Sequence, residues 1–242
     1  MILALISDIH GNLEALEAVL QDIERQKADK IFCLGDVIGY GCNPIECLRL
    51  VNENCNVKLL GNHEFAVLGL MSDRGLNDLA RESLSWTKEK IGDREISIIS
   101  DFEMDYTLDD NYFVHASPYE PEAWHYILSS REAAAAFEAA EDNICFFGHT
   151  HVPLIFSLYP DGRLRQTVGH DFLPDDENRY LVNIGSVGQP RDNDPRAGYV
   201  IFDTEEKEVL YHRIEYDLTL TQRKMAEEKI PSYLIERLTN GR

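Results

Sequence analysis

Residues 2–12 read ILALISDIHGN, and this stretch sets a pattern that the first quarter of the chain repeats. A short apolar run ends, polar side chains and a turn follow, and residues 12–27 then carry apolar side chains at helical spacing. The pattern returns at residues 30–36 (KIFCLGD) and 57–64 (VKLLGNHE), with a second helical stretch that opens at Pro44 between them. Strand, helix, strand, helix and strand at this spacing predict parallel strands with crossover helices.

The rest of the chain is predicted to mix further strands with two helical insertions and a C-terminal helix. Helical spacing covers residues 65–92 and 119–141, which interrupt the strand pattern, and a polar helix with a break at Pro231 covers 217–242. Apolar or alternating runs predict strands at 96–99, 104–108, 112–115, 144–147, 155–159, 164–168, 181–184, 199–203 and 208–214. No internal repeat divides the sequence, so we predict a single domain over residues 1–242.

Seven side chains that can bind metal ions stand in five short clusters, each where a predicted strand ends. They are Asp8, His10, Asp36, Asn62, His115, His149 and His151. Within each of the two pairs that are two residues apart, strand alternation would aim both side chains to one side. Oxygen and imidazole ligands suit divalent ions such as manganese, iron or zinc. Two such ions about 3.5–4 Å apart can clamp both sides of a displacement at phosphorus, so the pattern predicts phosphoester chemistry.

Composition limits the partners of the protein. The chain has 43 acidic and 23 basic residues, a formal net charge of −20, and such a surface repels duplex nucleic acid and anionic membranes. No run approaches the roughly 20 apolar residues of a membrane span, and the N-terminus begins with a predicted strand instead of a leader. The five cysteines form no CxxC pair, so we expect reduced thiols and a cytoplasmic protein.

The order of these clusters resembles a known family of enzymes. Asp8-x-His10, Gly35-Asp36, Gly61-Asn62-His63-Glu64, His115 and Gly148-His149-x-His151 are similar to the motifs of the calcineurin-like metallophosphoesterases. Within that family the chain resembles the bacterial and archaeal diadenosine-tetraphosphatase-like branch, with its YfcE-like phosphodiesterases. The resemblance spans about residues 1–204, including a loop at 185–191 (GSVGQPR). It implies a four-layer αββα sandwich, two mixed β-sheets flanked by helices with a small helical cap, and a dinuclear centre at the strand ends.

The resemblance also implies a role for each matching residue. The first metal ion would be held by Asp8, His10 and His151, and the second by Asn62, His115 and His149. Asp36 would bridge the two ions, and chemistry agrees because a carboxylate has two oxygens and can contact both. The ions would come from manganese, iron, zinc, nickel and cobalt, with manganese the first choice. Metal-bound hydroxide would attack a small phosphodiester, phosphomonoester or nucleotide, and His63 would act as the general acid.

The sequence departs from the serine/threonine phosphatase branch of this family at two positions. Where that branch has an Asp-Arg pair that steadies the catalytic histidine and holds phosphate, this chain has Gly39 and Tyr40. Arg191 is the candidate replacement for the arginine because a guanidinium forks onto phosphate, although it can equally be a solvated loop residue. Tyr40 is a candidate for stacking on or bonding to a substrate. Losing the pair favours a small substrate over a phosphoprotein.

The sequence leaves the roles of several residues, and two competing functions, open. Glu64 can orient His63 or simply begin a helix, where a carboxylate is favourable. The three histidines that match no motif, His125, His170 and His212, are predicted to be surface or packing residues. A non-catalytic metal-binding scaffold for protein interaction and a nuclease of the same superfamily are the competing functions. The charge of −20 counts against the nuclease, and a homodimer is possible.

Overall fold

Two mixed β-sheets lie face to face in the computed structural model, which describes residues 1–71 and 78–242. Within these residues the strands are β1 (Ile2–Ile6), β2 (Lys30–Cys33), β3 (Val57–Lys58), β4 (Asp105–Leu108), β5 (Asn111–Val114), β6 (Ile144–Phe147), β7 (Leu154–Leu158), β8 (Leu164–Val168), β9 (Arg179–Asn183), β10 (Ala197–Asp203) and β11 (Glu208–Ile214). The first sheet has the order β11-β10-β1-β2-β3, and the second has the order β4-β5-β6-β9-β7-β8. Parallel pairing joins β1 to β2 to β3, and β5 to β6 to β9.

Helices cover the outer faces of both sheets. They are α1 (Leu13–Gln26), α2 (Pro44–Asn54), α3 (Asn62–Val67), α4 (Asp78–Lys90), α5 (Asp93–Ser100), α6 (Ser130–Ala139), α7 (Leu218–Glu227) and α8 (Ser232–Asn240). The apolar side chains of α1 and α2 pack on the outer face of the first sheet, and those of α6 pack on the outer face of the second. The layers are therefore helix, sheet, sheet and helix, which confirms the predicted four-layer sandwich.

Because side chains alternate along a strand, β1 packs against both the layer between the sheets and the layer under the helices. Leu3 and Leu5 point between the sheets, whereas Ala4 and Ile6 point towards the helices. Between the sheets, aromatic rings meet edge to face, as in Phe32 and Phe113 with ring centroids 5.1 Å apart. Each fully buried side chain of this size contributes about 1.5–3 kcal/mol, so this layer fixes the sheets against each other.

Residues 96–99 are wrongly predicted as a strand, because they lie inside helix α5. Gly92 precedes this helix, and its backbone N–H donates to the carboxylate of Glu95 at 2.9 Å, which completes a capping box. Ile96 and Ile99 are three residues apart and therefore share one face of the helix, with Ile99 fully buried. The cluster of isoleucines suggests a strand, but the cap and this spacing decide for a helix.

The predicted helical segments also differ from the structure in extent. Residues 119–141 contain only a 3₁₀ turn at Pro121–Ala123 and the helix α6, which Ser129 caps, so most of 119–129 is loop. In the stretch 65–92, α3 starts at Asn62 and α4 at Asp78, while 72–77 lie outside the described residues. The C-terminal helix is two helices, α7 and α8, separated at Pro231 as the proline predicts. None of the helices in the described part of the chain is long and apolar enough to cross a membrane.

Candidate metal centre

The seven predicted metal ligands meet at one edge of the sandwich, where strands of both sheets end. Each follows a strand by one to four residues, and all are buried, with at most 9% of the residue exposed. The carboxyl ends of parallel strands are where an open α/β sheet places its site, so the two sheets supply one half each. The first sheet contributes Asp8, His10, Asp36 and Asn62, and the second contributes His115, His149 and His151.

Strand alternation does not orient these side chains, contrary to the expectation for the two closely spaced pairs. Five of the seven residues have left-handed backbone conformations instead, with φ between 49° and 62°: Asp8, His10, Asp36, His149 and His151. Such a conformation costs an ordinary residue about 1 kcal/mol or more, and surrounding structure must hold it. Backbone hydrogen bonds between the loops do so, as in the 3.0 Å bond from the N–H of Asp8 to the carbonyl of Gly35. A cluster of left-handed residues of this kind is typical of a functional site.

The four imidazole rings at this edge share one arrangement. Each donates one ring N–H to a backbone carbonyl, at 2.6–3.0 Å, which fixes its tautomer and turns the lone pair of its other nitrogen towards the cluster. The pairs are His10 with Ile38, His115 with Leu34, His149 with Trp124 and His151 with Gln189. This is how proteins orient histidine ligands of metal ions.

The free ring nitrogens approach each other in two pairs. Nε2 of His10 lies 3.1 Å from Nε2 of His151, and Nε2 of His115 lies 3.2 Å from Nδ1 of His149. Two lone pairs at this distance repel each other unless a cation or a proton stands between them. The separations suit two ligands of one ion, since metal-to-imidazole distances are about 2.0–2.1 Å.

The candidate ligand atoms form groups whose members lie within 4.8 Å of one another. Two of these groups are Asp8 with His10 and His151, and Asp36 with His115 and His149. The carboxylate of Asp36 lies between the groups, because its Oδ2 is 3.6 Å from Nε2 of His10 and 3.4 Å from Nε2 of His115. Its other oxygen accepts the backbone N–H of His63 at 3.0 Å. Asp36 is therefore placed where a bridging ligand would have to be.

Two buried oxygens in the centre fit a cation. Oδ1 of Asp8 and Oδ1 of Asn62 have no hydrogen-bond partner among the described residues. Leaving a buried polar atom unsatisfied costs about 1–3 kcal/mol, and more for a charged group. Both oxygens belong to residues of the predicted ligand set, so bound divalent cations would satisfy them. The residues present therefore fit the two ions that the motifs imply.

Charges within the centre are strongly coupled. Burial raises the pKa of Asp36, but the imidazoles of His115, His63 and His10 outweigh it and hold that pKa well below its usual range. Burial and the neighbouring His115 lower the pKa of His149 to about 3. Burial opposes the charged form of His115 as well, yet the Asp36 carboxylate wins and raises the pKa of His115 to about 9. The pKa of each of these groups is therefore set by burial together with the charges of the other groups in the centre.

Glu64 holds the Asp36 loop and makes no hydrogen bond to the ring of His63 among the residues described. It is fully buried at the third position of α3, and its carboxylate accepts backbone N–H groups from Asp36, Ile38 and Gly61 at 2.8–3.1 Å. Burial and the charge of Asp36 raise the pKa of Glu64 to about 7. The carboxylate does cap the helix, as one interpretation of the sequence predicts, but it also fixes the backbone of Asp36.

We expect Glu64→Ala to lower the free energy of unfolding of the metal-free protein by about 3 kcal/mol or more, because three buried N–H groups lose a charged acceptor. Glu95→Ala is the matched control, since Glu95 holds the same position of α5 but accepts a single backbone N–H at its exposed end. Its expected loss is about 1 kcal/mol. Urea unfolding of both variants measures the difference, and equal losses would contradict the role given to Glu64.

His63 lies against the centre with its ring beside His10 and Tyr40, at centroid distances of 4.9 Å and 4.7 Å. It is buried, and burial lowers its pKa while the Asp36 carboxylate opposes that shift. A Cβ atom on Gly39 would overlap Nδ1 of the His63 ring. The ring of His63 thus fills the space that an aspartate side chain at position 39 would need.

Arg191 and Tyr40, the two candidate substrate-binding residues, border the centre. The Tyr40 ring packs edge-on against His10 at 4.7 Å. The backbone N–H of Arg191 donates to the carbonyl of His151 at 3.1 Å, and its guanidinium donates to the side chain of Gln189 at 2.8 Å. Arg191 is half-buried and so is not a fully solvated loop residue.

Three histidines lie away from the centre. His125 is half-exposed beside Glu120, His170 is exposed, and His212 stacks on Tyr199. Sequence reasoning missed two aromatic residues that do reach the centre. The carbonyl of Trp124 orients His149, and the ring of Tyr126 stacks on His149 at 4.3 Å. Both lie in a loop that the sequence predicts to be helical, and no motif in that segment predicts contact with the centre.

Comparisons with known proteins agree with this geometry. A family model described as the calcineurin-like phosphoesterase superfamily domain matches residues 1–207, which contain all seven side chains. An uncharacterized protein from Methanocaldococcus jannaschii is 38% identical over 247 residues, covering 99% of this chain and 98% of its own. A solved metallophosphoesterase from Sphaerobacter thermophilus is 38% identical, with a TM-score of 0.88 over 100% of this chain and 99% of that one. A symmetrical bis(5'-nucleosyl)-tetraphosphatase from Actinobacillus pleuropneumoniae is 30% identical over 70 residues, 28% of this chain and 26% of its own.

Proposed function

Because the chain belongs to the calcineurin-like phosphoesterase superfamily, we propose that it is a metal-dependent hydrolase of small phosphodiesters or phosphomonoesters. The observation that carries this proposal is the arrangement of four imidazoles. Each is held by a backbone carbonyl so that its free nitrogen faces a cluster containing two buried carboxylates. A structural histidine needs no such orientation, whereas a metal ligand does.

Two divalent ions are the proposed cofactors, with manganese the first choice. Asp8, His10 and His151 would hold one ion, Asn62, His115 and His149 the other, and Asp36 both. When bound, the ions supply Lewis-acid chemistry, lowering the pKa of water and drawing negative charge from the phosphoryl group. The ligand set carries two carboxylates and neutral imidazole and amide groups, so its formal charge offsets only half of two divalent cations. The centre then stays positive towards phosphate.

His63 is the proposed general acid. Its ring lies beside His10 and Tyr40, next to the ligand set, so it is the imidazole outside that set nearest to a phosphoester bound there. Burial lowers the pKa of His63. A phosphate that arrives beside the ring would raise that pKa, because a nearby negative charge favours the protonated imidazole. Substrate binding would thereby charge the acid that protonates the leaving group.

The proposed substrate is a small phosphoester or nucleotide. The local similarity to a symmetrical bis(5'-nucleosyl)-tetraphosphatase supports a nucleotide, and the net charge of −20 counts against duplex nucleic acid. Arg191 and Tyr40 are proposed to contact the substrate, since both border the ligand set. We also propose a cytoplasmic location, because the five cysteines are all free thiols.

The direct test is hydrolysis of bis-p-nitrophenyl phosphate and p-nitrophenyl phosphate by the purified protein. Protein stripped with a chelator and reloaded with manganese, iron, zinc, nickel or cobalt should release p-nitrophenol, and the stripped protein should not. The release is read at pH 7–8 by absorbance. No turnover of either ester with any of the five metals would refute the proposed function.

A further inference from the structure

A cleft of about 440 Å³ opens beside the metal centre and contains two arginines. Its walls include Tyr40, Tyr126, Arg191, Tyr233 and Arg237, and we call it the arginine cleft. Two of these tyrosines also cover the centre. The ring of Tyr40 packs on His10 and His63, and that of Tyr126 stacks on His149. A molecule in the cleft would therefore lie next to both halves of the ligand set.

The two arginines of the cleft pair with no Asp or Glu side chain among residues 1–71 and 79–242. Nε of Arg191 is buried and donates no hydrogen bond within those ranges. Nε of Arg237 donates to a main-chain oxygen of Arg242, the last residue of the sequence, and its guanidinium lies over the Tyr233 ring at 5.5 Å from the centroid. By contrast, Arg163 and Arg196 each pair with an aspartate two residues away.

The charges of the two arginines act on each other. Burial lowers the pKa of Arg237, and the positive charge of Arg191 lowers it further. Both guanidinium groups remain charged at neutral pH, since arginine is effectively always protonated in proteins. In a chain with 43 acidic residues, two neighbouring guanidinium groups that pair with no Asp or Glu side chain among residues 1–71 and 79–242 form a site suited to an anion.

Arg237 reaches the cleft from helix α8, beyond the residues 1–207 that the family model matches. Tyr233 and Arg237 are four residues apart and therefore lie on one face of that helix. The α7–α8 pair is anchored by an apolar cluster of Met225, Ile230, Leu234 and Leu238, against which Tyr40 packs. Helix α8 is thus fixed to the same Tyr40 that touches the metal ligands, which gives Arg237 a defined position.

On the premise of the proposed phosphoesterase function, we propose that Arg237 and Arg191 bind a second phosphate group of the substrate. The metal centre would take the phosphate that reacts, and the arginine cleft would take a phosphate that does not. Preferred substrates would then be phosphoesters or nucleotides that carry at least two phosphates. A substrate with one phosphate would leave the arginine pair without a partner, so specificity arises from a helix outside the matched family region.

The test compares AMP and ADP as inhibitors of bis-p-nitrophenyl phosphate hydrolysis by the manganese-loaded protein, with manganese in excess over nucleotide. The two nucleotides differ only in the second phosphate. For the wild type we expect ADP to inhibit at about tenfold lower concentration than AMP, as charge-assisted contacts to one phosphate allow. Arg237→Gln should reduce this ratio to within about twofold of one. Arg223→Gln, which removes an exposed arginine of α7 outside the cleft, should keep the wild-type ratio.

Each other outcome has a defined meaning. Equal inhibition of the wild type by AMP and ADP, or an unchanged ratio in Arg237→Gln, overturns the second-phosphate site while leaving the phosphoesterase intact. Absence of bis-p-nitrophenyl phosphate turnover by the wild type overturns the proposed function itself. Thermal unfolding is recorded for every variant. If Arg237→Gln does not fold, Arg237→Met replaces it, because methionine keeps the aliphatic part of the side chain. The ratio of AMP to ADP inhibition is then measured on that variant.

Discussion

Replacing Asp36 with asparagine is expected to reduce kcat/KM for bis-p-nitrophenyl phosphate by about 10³-fold or more, equivalent to about 4 kcal/mol of transition-state stabilisation. The reason is the position of its carboxylate, whose Oδ2 lies 3.6 Å and 3.4 Å from the ring nitrogens of His10 and His115. Asparagine keeps Oδ1, which accepts the N–H of His63, but it puts a neutral NH₂ group where the second oxygen stands. The substitution would therefore remove the proposed bridge while keeping the hydrogen bond to His63.

Activity is measured at saturating manganese so that weakened metal affinity alone does not explain the loss. Asp161→Asn is the matched control because Asp161 lies in the exposed turn between β7 and β8 and belongs to none of the possible metal-binding groups. Its kcat/KM should stay within about twofold of the wild type. An Asp36→Asn variant with a rate close to that of the control would show that the carboxylate does not bridge.

Replacing His63 with alanine is expected to lower kcat by about 10²–10⁴-fold, the usual contribution of general acid catalysis. The size of the loss should depend on the leaving group. A p-nitrophenolate leaves without much help, whereas a methoxide needs a proton. The loss of kcat in His63→Ala should therefore be larger when methoxide is the leaving group than when p-nitrophenolate is. All seven proposed ligands remain in this variant, so we expect it to keep two ions per chain. Its metal content is measured beside the rates, because His63 forms a possible metal-binding group with His10 and Asp36.

His170→Ala is the control for this variant, since His170 is exposed and lies away from the centre. It should leave both esters unaffected. Rates are compared for the two leaving groups under single-turnover conditions, which isolate the chemical step. An equal loss for both leaving groups in His63→Ala would argue that His63 positions the phosphate and does not donate a proton.

The motifs predicted which residues come together in the centre, but they did not predict the backbone conformations and hydrogen bonds that hold those residues in place. Each ligand follows an apolar strand, and parallel strands bring their carboxyl ends together, so Asp8 and Asp36 could be placed from sequence alone. Their left-handed conformations could not, because they depend on hydrogen bonds between loops that are distant in sequence. The same holds for the carbonyl of Trp124, which orients His149 from a loop with no motif.

Two other features escaped prediction for related reasons. The sequence predicts a strand within helix α5 because Ile96, Ile98 and Ile99 have high strand propensity, although Gly92 and Glu95 carry the capping signal. Arg237 lies far along the chain from Arg191, and only the packing of α8 on the Tyr40 loop brings the two into one cleft. Tertiary contacts of this kind leave no local trace in the sequence.

A dinuclear centre is the central claim, and the number of metal ions bound per chain tests it most directly. The chelator-stripped protein is titrated with manganese, separated from free ions, and analysed by inductively coupled plasma mass spectrometry together with the protein concentration. The two ligand groups and the bridging position of Asp36 predict a plateau at about two ions per chain. A plateau at one ion or fewer, in protein that is folded and saturated, would contradict the central claim.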